Sequence, residues 1–165
     1  TSLHLENLST FSPTLRASMN NTESSLNRML DGRGKTRWSE KTGNQNGSEW
    51  IEISLPSETT ALALDLNVGK FSSDFPRGVR VTSWPRVCDK RGEDKGEIVY
   101  EQAQWLGSVN FTPQGFPYYK PQNQVIIRFQ SAVTTQCLLV EQTSSAPFDW
   151  SVTRLRIARL PTKST

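Results

Sequence analysis

Few side chains in this sequence could do covalent or metal chemistry, and their spacing argues against it. The single histidine, His4, lies in a polar leading segment, and no serine and carboxylate can be arranged around it as a nucleophile and base. Asp74 and Asp149 are the two carboxylates that could be cast as the acid and base of a hydrolase. Both stand among turn-forming residues, where exposed carboxylates are ordinary. Gly32-Arg33-Gly34 is not followed by the strand-to-helix pattern that a phosphate loop requires. Cys88 and Cys137 form no Cys-x-x-Cys pair, and with one histidine they make no zinc set. They allow one internal bridge, whose large loop would contribute about 4 kcal/mol through the unfolded state. Cys137, however, sits in the alternating run Cys137-Leu138-Leu139-Val140-Glu141, where a buried free thiol is the commoner state, and the sequence is read that way. No catalytic residue and no cofactor are assigned.

Whatever recognition chemistry remains must be held by a scaffold, and 165 residues suffice for one domain, 1–165, with a substantial core. A net charge of +3 comes from 19 basic and 16 acidic residues that are intermixed, so no basic face for nucleic acid emerges. The densest cluster, Asp89-Lys90-Arg91-Gly92-Glu93-Asp94-Lys95, alternates in sign and reads as a hydrophilic loop. Mean hydropathy is -0.54, and no apolar run approaches the roughly 20 residues needed to cross a bilayer. The first twelve positions lack the charged-then-apolar pattern of a secretory leader. The chain is therefore read as a module excised from a larger protein, with a covalently linked neighbouring domain.

Period-two alternation dominates the chain and reads as strands buried on one face only, residues 61–68 among them. Leu62, Leu64, Leu66 and Val68 face one way, with Ala61, Ala63, Asp65 and Asn67 opposite; Ile51, Ile53 and Leu55 stand opposite Trp50, Glu52 and Ser54; Val125, Ile127 and Phe129 stand opposite Ile126 and Arg128. Shorter runs at 78–82, 96–100 and 154–158 complete a set of strands separated by Gly-, Pro-, Asn- and Ser-rich turns. The one helical signal covers residues 24–30, with Leu26, Met29 and Leu30 on one face and Thr22 or Ser24 as a cap.

Two distant segments carry a family resemblance: Leu30-Asp31-Gly32-Arg33-Gly34-Lys35-Thr36-Arg37-Trp38 and Trp150-Ser151-Val152-Thr153-Arg154-Leu155-Arg156-Ile157. With Glu49-Trp50-Ile51-Glu52-Ile53-Ser54-Leu55, Asp74-Phe75-Pro76-Arg77-Gly78 and the stretch 143–151, they resemble, in order, the discoidin (coagulation-factor type C) family, including its bacterial carbohydrate-binding modules. The resemblance covers residues 17–160. It implies an all-β fold, an eight-stranded antiparallel galactose-binding-like jelly-roll sandwich with at most one short helix. It also implies a non-catalytic module working outside the cytoplasm.

In that fold the loops 18–24, 39–48, 69–77 and 144–149 gather at one end. Sugars bind to flat aromatic faces flanked by planar amide, carboxylate and guanidinium groups. The resemblance therefore points to Phe71 and Phe148 as stacking rings and to Asn44, Gln45, Asn46, Asp74, Arg77 and Asp149 as polar ligands, with carbohydrate as the partner. Two alternatives use the same end, adhesion to a protein and to a phospholipid surface. Membrane insertion is not expected, because the loop tips 19–21, 44–46 and 70–72 hold few apolar side chains. Relatives often hold calcium near Asp31 and Thr36 with a glutamate from the last strand. That glutamate falls at Arg154, whose guanidinium offers no oxygen, so no metal is assigned and Arg154 is expected to pair with Asp31. The aromatic stretch 105–119 is expected to pack over one end of the sandwich.

Overall fold

Wherever branched and leucyl side chains alternate with polar ones, the chain extends. In the computed structural model, which describes residues 3–33, 35–40, 42–90, 92–102, 109–119 and 123–160, the strands are β1 (Glu6–Asn7), β2 (Thr14–Ala17), β3 (Trp38–Ser39), β4 (Gln45–Asn46), β5 (Trp50–Asn67), β6 (Val79–Trp84), β7 (Glu97–Gln102), β8 (Val109–Phe111), β9 (Pro117–Tyr119), β10 (Gln124–Gln142), β11 (Ser145–Ala146), β12 (Ser151–Val152) and β13 (Arg154–Arg159). The helical signal becomes α1 (Glu23–Leu26), continued by a single 3₁₀ turn, Asn27–Met29. Thr22 caps α1, its Oγ1 accepting the Ser25 amide at 3.3 Å, while Leu26 and Met29 turn into the core.

The main sheet runs β1-β13-β5-β10-β6-β7, with β2 also on β5, and every pairing is antiparallel. The two longest strands each serve twice. Residues 63–67 of β5 pair with residues 124–128 of β10 and, together with Ala61, with β13; residues 50–54 pair with residues 137–141 and, at 51–54, with β2. Between these stretches the register shifts at Arg128/Val133 and at Thr135/Cys137, and the strands fold over there into the second layer. Counting each long strand as two, with β2, β6, β7 and β13 and the two-residue β1 set aside, gives the eight expected strands. The core between the layers is aliphatic, with Ile51, Ile53, Leu55, Leu64, Leu66, Val81, Ile127, Leu138, Val140 and Ile157 buried.

Three expectations are corrected. Cys88 and Cys137 are bridged, with Cα atoms 5.0 Å apart, so the free-thiol reading of Cys137 does not hold. The bridge joins the 3₁₀ turn Cys88–Lys90 to the far half of β10 beside Trp84. The polar side of residues 61–68 is not open to water. Because β5 lies between β13 and β10, Ala61, Ala63 and Asp65 are buried as well, and Asp65 is held by Arg156 at 2.7 Å. Burial nonetheless pushes the Asp65 carboxyl above its ordinary range, against the pull of Arg156. The third correction concerns the aromatic stretch. Phe111, Phe116 and Tyr118 stand exposed on the β8–β9 hairpin instead of capping the sandwich, and Trp105 lies outside the described residues.

Candidate functional site

Because β5 and β10 both fold over at one pole, their four free ends lie together at the other. There the loops 18–22, 40–49, 68–78 and 143–150 converge. Asp149 Oδ1 accepts the Gly43 amide at 2.6 Å, Gln45 Nε2 donates to the Phe75 carbonyl at 3.0 Å, and Gln45 Oε1 accepts the Arg77 amide at 3.1 Å. The Thr143 amide reaches the Gly78 carbonyl at 3.0 Å, and the Ser151 amide reaches that of Asp74 at 3.1 Å. Two short ribbons finish the frame: β4 pairs with β11, and β3 with β12, which joins the opening and closing signature segments directly. Beneath them Trp38 and Trp150 are fully buried and meet edge to face, with ring centroids 5.4 Å apart. Gly43 and Gly47 turn the 40–49 loop at φ of 84° and 92°, the left-handed region where a side chain is strained.

This rim sorts the eight sequence-expected residues into two groups. Gln45 and Arg77 are buried and brace the loops: Arg77 donates to the Phe75 carbonyl at 2.5 Å and to the Ser73 carbonyl at 2.9 Å, and its guanidinium stacks on Phe75 at 3.7 Å. Asn44 and Asn46 are exposed, although Asn46 Oδ1 also accepts from Ser48, at 2.9 Å from its amide. Asp149 is half-buried. Phe148 is 41% exposed, with the Arg77 guanidinium 5.3 Å from its ring centroid. Phe71 is half-buried, and the Arg37 guanidinium lies 4.2 Å from its ring centroid, so Phe148 is the more open ring. Asp74 is bonded to Arg37 and accepts Ser151 Oγ at 2.6 Å. Burial raises its carboxyl above the ordinary range, with Ser151 and Arg37 pulling the other way.

Arg37 and Ser151 are therefore members of the site that the loop reading missed, although both stand in the signature segments. A second omission lies deeper. Glu40 and Glu49, 1% and 4% exposed, meet beneath the rim. Glu40 Oε1 accepts the Trp150 amide at 3.1 Å. The Glu49 carboxylate accepts the amides of Asn46 at 2.8 Å, Gly47 at 3.0 Å and Ser48 at 3.1 Å, and Gln142 Nε2 at 3.0 Å. Burial pushes Glu40 up to about 8, helped by its hydrogen bond to Glu49 and by the charges of Glu49 and Asp149. Burial pushes Glu49 up too, but the donors gathered on it win and hold it below the usual carboxylate range.

The corner where the family resemblance would place calcium is built differently. Asp31 accepts the Arg33 amide at 2.9 Å and the Thr36 hydroxyl at 2.7 Å, and Arg154 Nη2 donates to the Gly32 carbonyl at 3.3 Å. The expected Arg154–Asp31 pair is thus replaced by a bond to the neighbouring carbonyl. A guanidinium on that oxygen does not fit a dication beside it.

β7 ends at Gln102 opposite Val79, where loop 68–78 rejoins the sheet, and the Asn123 carbonyl accepts the Val68 and Gly69 amides at 3.0 and 3.2 Å.

No family model and no curated protein matches this sequence. Solved structures do. The family 32 carbohydrate-binding module of Clostridium perfringens NanJ, in complex with galactose, aligns with a TM-score of 0.67 at 12% identity over 93% of this chain and 98% of that one. This chain has the jelly-roll fold of those modules. Chitosan-binding module 1 of a Paenibacillus sp. IK-5 chitosanase/glucanase aligns at 0.65 and 19% identity over 92% and 98%. A C. perfringens module in complex with GalNAc-β-1,3-galactose aligns at 0.64 and 9% identity over 93% and 99%.

Proposed function

We propose that the chain is a non-catalytic carbohydrate-binding module working outside the cytoplasm as an appended part of a larger protein, with the convergent rim as its glycan site. The observation that carries this is the open ring of Phe148, next in the chain to Asp149, which grips the Gly43 amide of the loop that carries exposed Asn44 and Asn46, both loops being braced by Gln45 and Arg77. A ring for a C–H face beside amides and a carboxylate for hydroxyls is the surface a hexose requires. The folds it resembles include modules solved with galactose-containing sugars and a chitosan-binding module, which supports a sugar without choosing one. Asp74 is engaged by Arg37 and Ser151, so it is a poor partner for Asp149 in hydrolysis. The disulfide supports an oxidising compartment.

The test is a glycan array followed by titration calorimetry on the best hit. Phe148→Ala should weaken binding by about tenfold or more, equivalent to about 1.4 kcal/mol, without moving the melting temperature. Unchanged affinity in Phe148→Ala, Asp149→Asn and Asn44→Ala together would reject this rim. Exposed Met19 and Phe148 are the apolar tips that adhesion to phospholipid would use, and liposome flotation isolates that outcome.

A further inference from the structure

We propose that Glu40 and Glu49 share one buried proton as a carboxylic acid–carboxylate pair, that this pair locks the two loops carrying the glycan surface together, and that loss of the proton opens the rim. The inference rests on the carbohydrate reading only for what the rim holds.

Geometry carries the argument. Glu40 stands at the end of β3 and Glu49 at the start of β5, and each grips a different loop. Glu40 takes the Trp150 amide and donates its own amide to the Trp150 carbonyl, at 3.4 Å, so it holds the segment behind Phe148 and Asp149. Glu49 gathers three successive amides, those of residues 46–48, so it shapes the turn behind Asn44 and Asn46. Among the described residues this leaves one acceptor of the pair over. Glu40 Oε2 is buried, and no donor among the described residues reaches it. An ionised Glu40 would leave that oxygen charged and unsatisfied, which burial penalises heavily. A protonated Glu40 donates from Oε2 to Glu49 and satisfies both groups.

Among the described residues, the charges that bear on Glu40 strengthen the preference: Glu49 beside it and Asp149 on the facing loop, both acidic. When Glu40 gives its proton to solvent base, the hydrogen bond between the loops is lost. Like charges then face each other in a dry site. The relief available is separation of the loops that the pair had joined. Glu40 is in this sense a positioning residue, reaching the ligand only through the backbone it holds.

The experiment begins without ligand. Carbon-detected NMR of the carboxyl groups should show one glutamate titrating near pH 8 in the unmodified chain, with that titration absent in Glu40→Gln. Amide exchange at residues 46–48 and 150 should accelerate beyond simple base catalysis across the same range, and only in the unmodified chain. Glutamine is the fitting variant because its amide nitrogen donates to Glu49 while its oxygen accepts from Trp150, with no proton to lose. With a glycan hit in hand, affinity should fall about fivefold or more between about pH 6.5 and pH 9 and stay level in Glu40→Gln. The proposal is overturned if no buried glutamate titrates between pH 6 and 9, or if those amides keep their protection through the titration. Titration and loosening with no glycan bound at any pH would uphold the lock and sink the carbohydrate reading instead.

Discussion

Phe71 and Phe148 are both phenylalanines on rim loops, yet their surroundings assign them different work. The face of Phe71 carries the Arg37 guanidinium, an arrangement that contributes about 0.5–1 kcal/mol to the loop itself and removes that face from a ligand. Phe148 is packed on one side by buried Arg77 and open on the other. We expect Phe71→Ala to lower the melting temperature and alter glycan affinity little, and Phe148→Ala to do the reverse; calorimetry and a thermal melt on both variants separate them. Gly96 offers a second test at this scale. A β-carbon there would lie 2.6 Å from Cε2 of Trp84, so Gly96→Ala should destabilise by about 1–3 kcal/mol, read from chemical denaturation. The sequence could place Phe71, Phe148, Gln45 and Arg77 on loops but could not rank their exposure. That is set by contacts over long separations, such as Arg77 against Gln45, and an amide or guanidinium looks the same in sequence whether it faces a sugar or a carbonyl. Arg37 was missed because it precedes a buried tryptophan inside a signature segment, and nothing local reveals that it reaches loop 68–78.

Strands were the most legible elements, because alternation reports the face each side chain takes. Residues 51–55, 61–67 and 125–129 all proved extended. What alternation does not report is coverage of the second face, so the burial of Asp65 and its pairing with Arg156 follow only from the central position of β5 in the sheet. Neither does it report where a strand folds over, which appears here as register shifts in β10. The disulfide was illegible for the same reason. The surroundings of Cys137 state that it is buried, and only the folding of β10 beside the Cys88 turn brings the two sulfurs together. That bridge closes a loop across a separation of 49 residues and should contribute about 4 kcal/mol. Cys88→Ser with Cys137→Ser, or reduction of the unmodified chain, should lower the denaturant midpoint accordingly; an unchanged midpoint would show that the unfolded state is already constrained. At the neighbouring corner, where Arg154 meets Gly32, calcium and EDTA should leave the melting temperature unmoved, and a calcium-dependent rise would contradict the arrangement.

Across the whole molecule, the buried carboxyl groups set how stability depends on pH. An unfolded Glu40 loses its proton near 4.5, whereas the folded chain keeps it to about 8. Between those values the native state binds one proton more, so stability falls as pH rises, by at most about 1.4 kcal/mol per unit. Asp65 and Asp74, also raised, act in the same direction just above their ordinary value. Glu49, held low, acts oppositely and removes stability as pH drops through its depressed value. The melting temperature should therefore peak in mildly acidic solution and decline toward pH 8, and Glu40→Gln should flatten most of that decline. The convergence of the loops was itself legible only through the family resemblance, since no local pattern states which ends of folded-over strands share a pole.

The antiparallel pairing of β1 with β13, Glu6 opposite Ile157, has a bearing on attachment. Arg154 lies level with Asn67 at the rim and Arg159 level with Ala61 at the fold-over pole, so the first and last strands begin and finish at the distal side. A tether continuing from β1 or from β13 would pull from behind the sandwich and leave the proposed glycan surface facing outward, like the open palm of a hand held by its wrist.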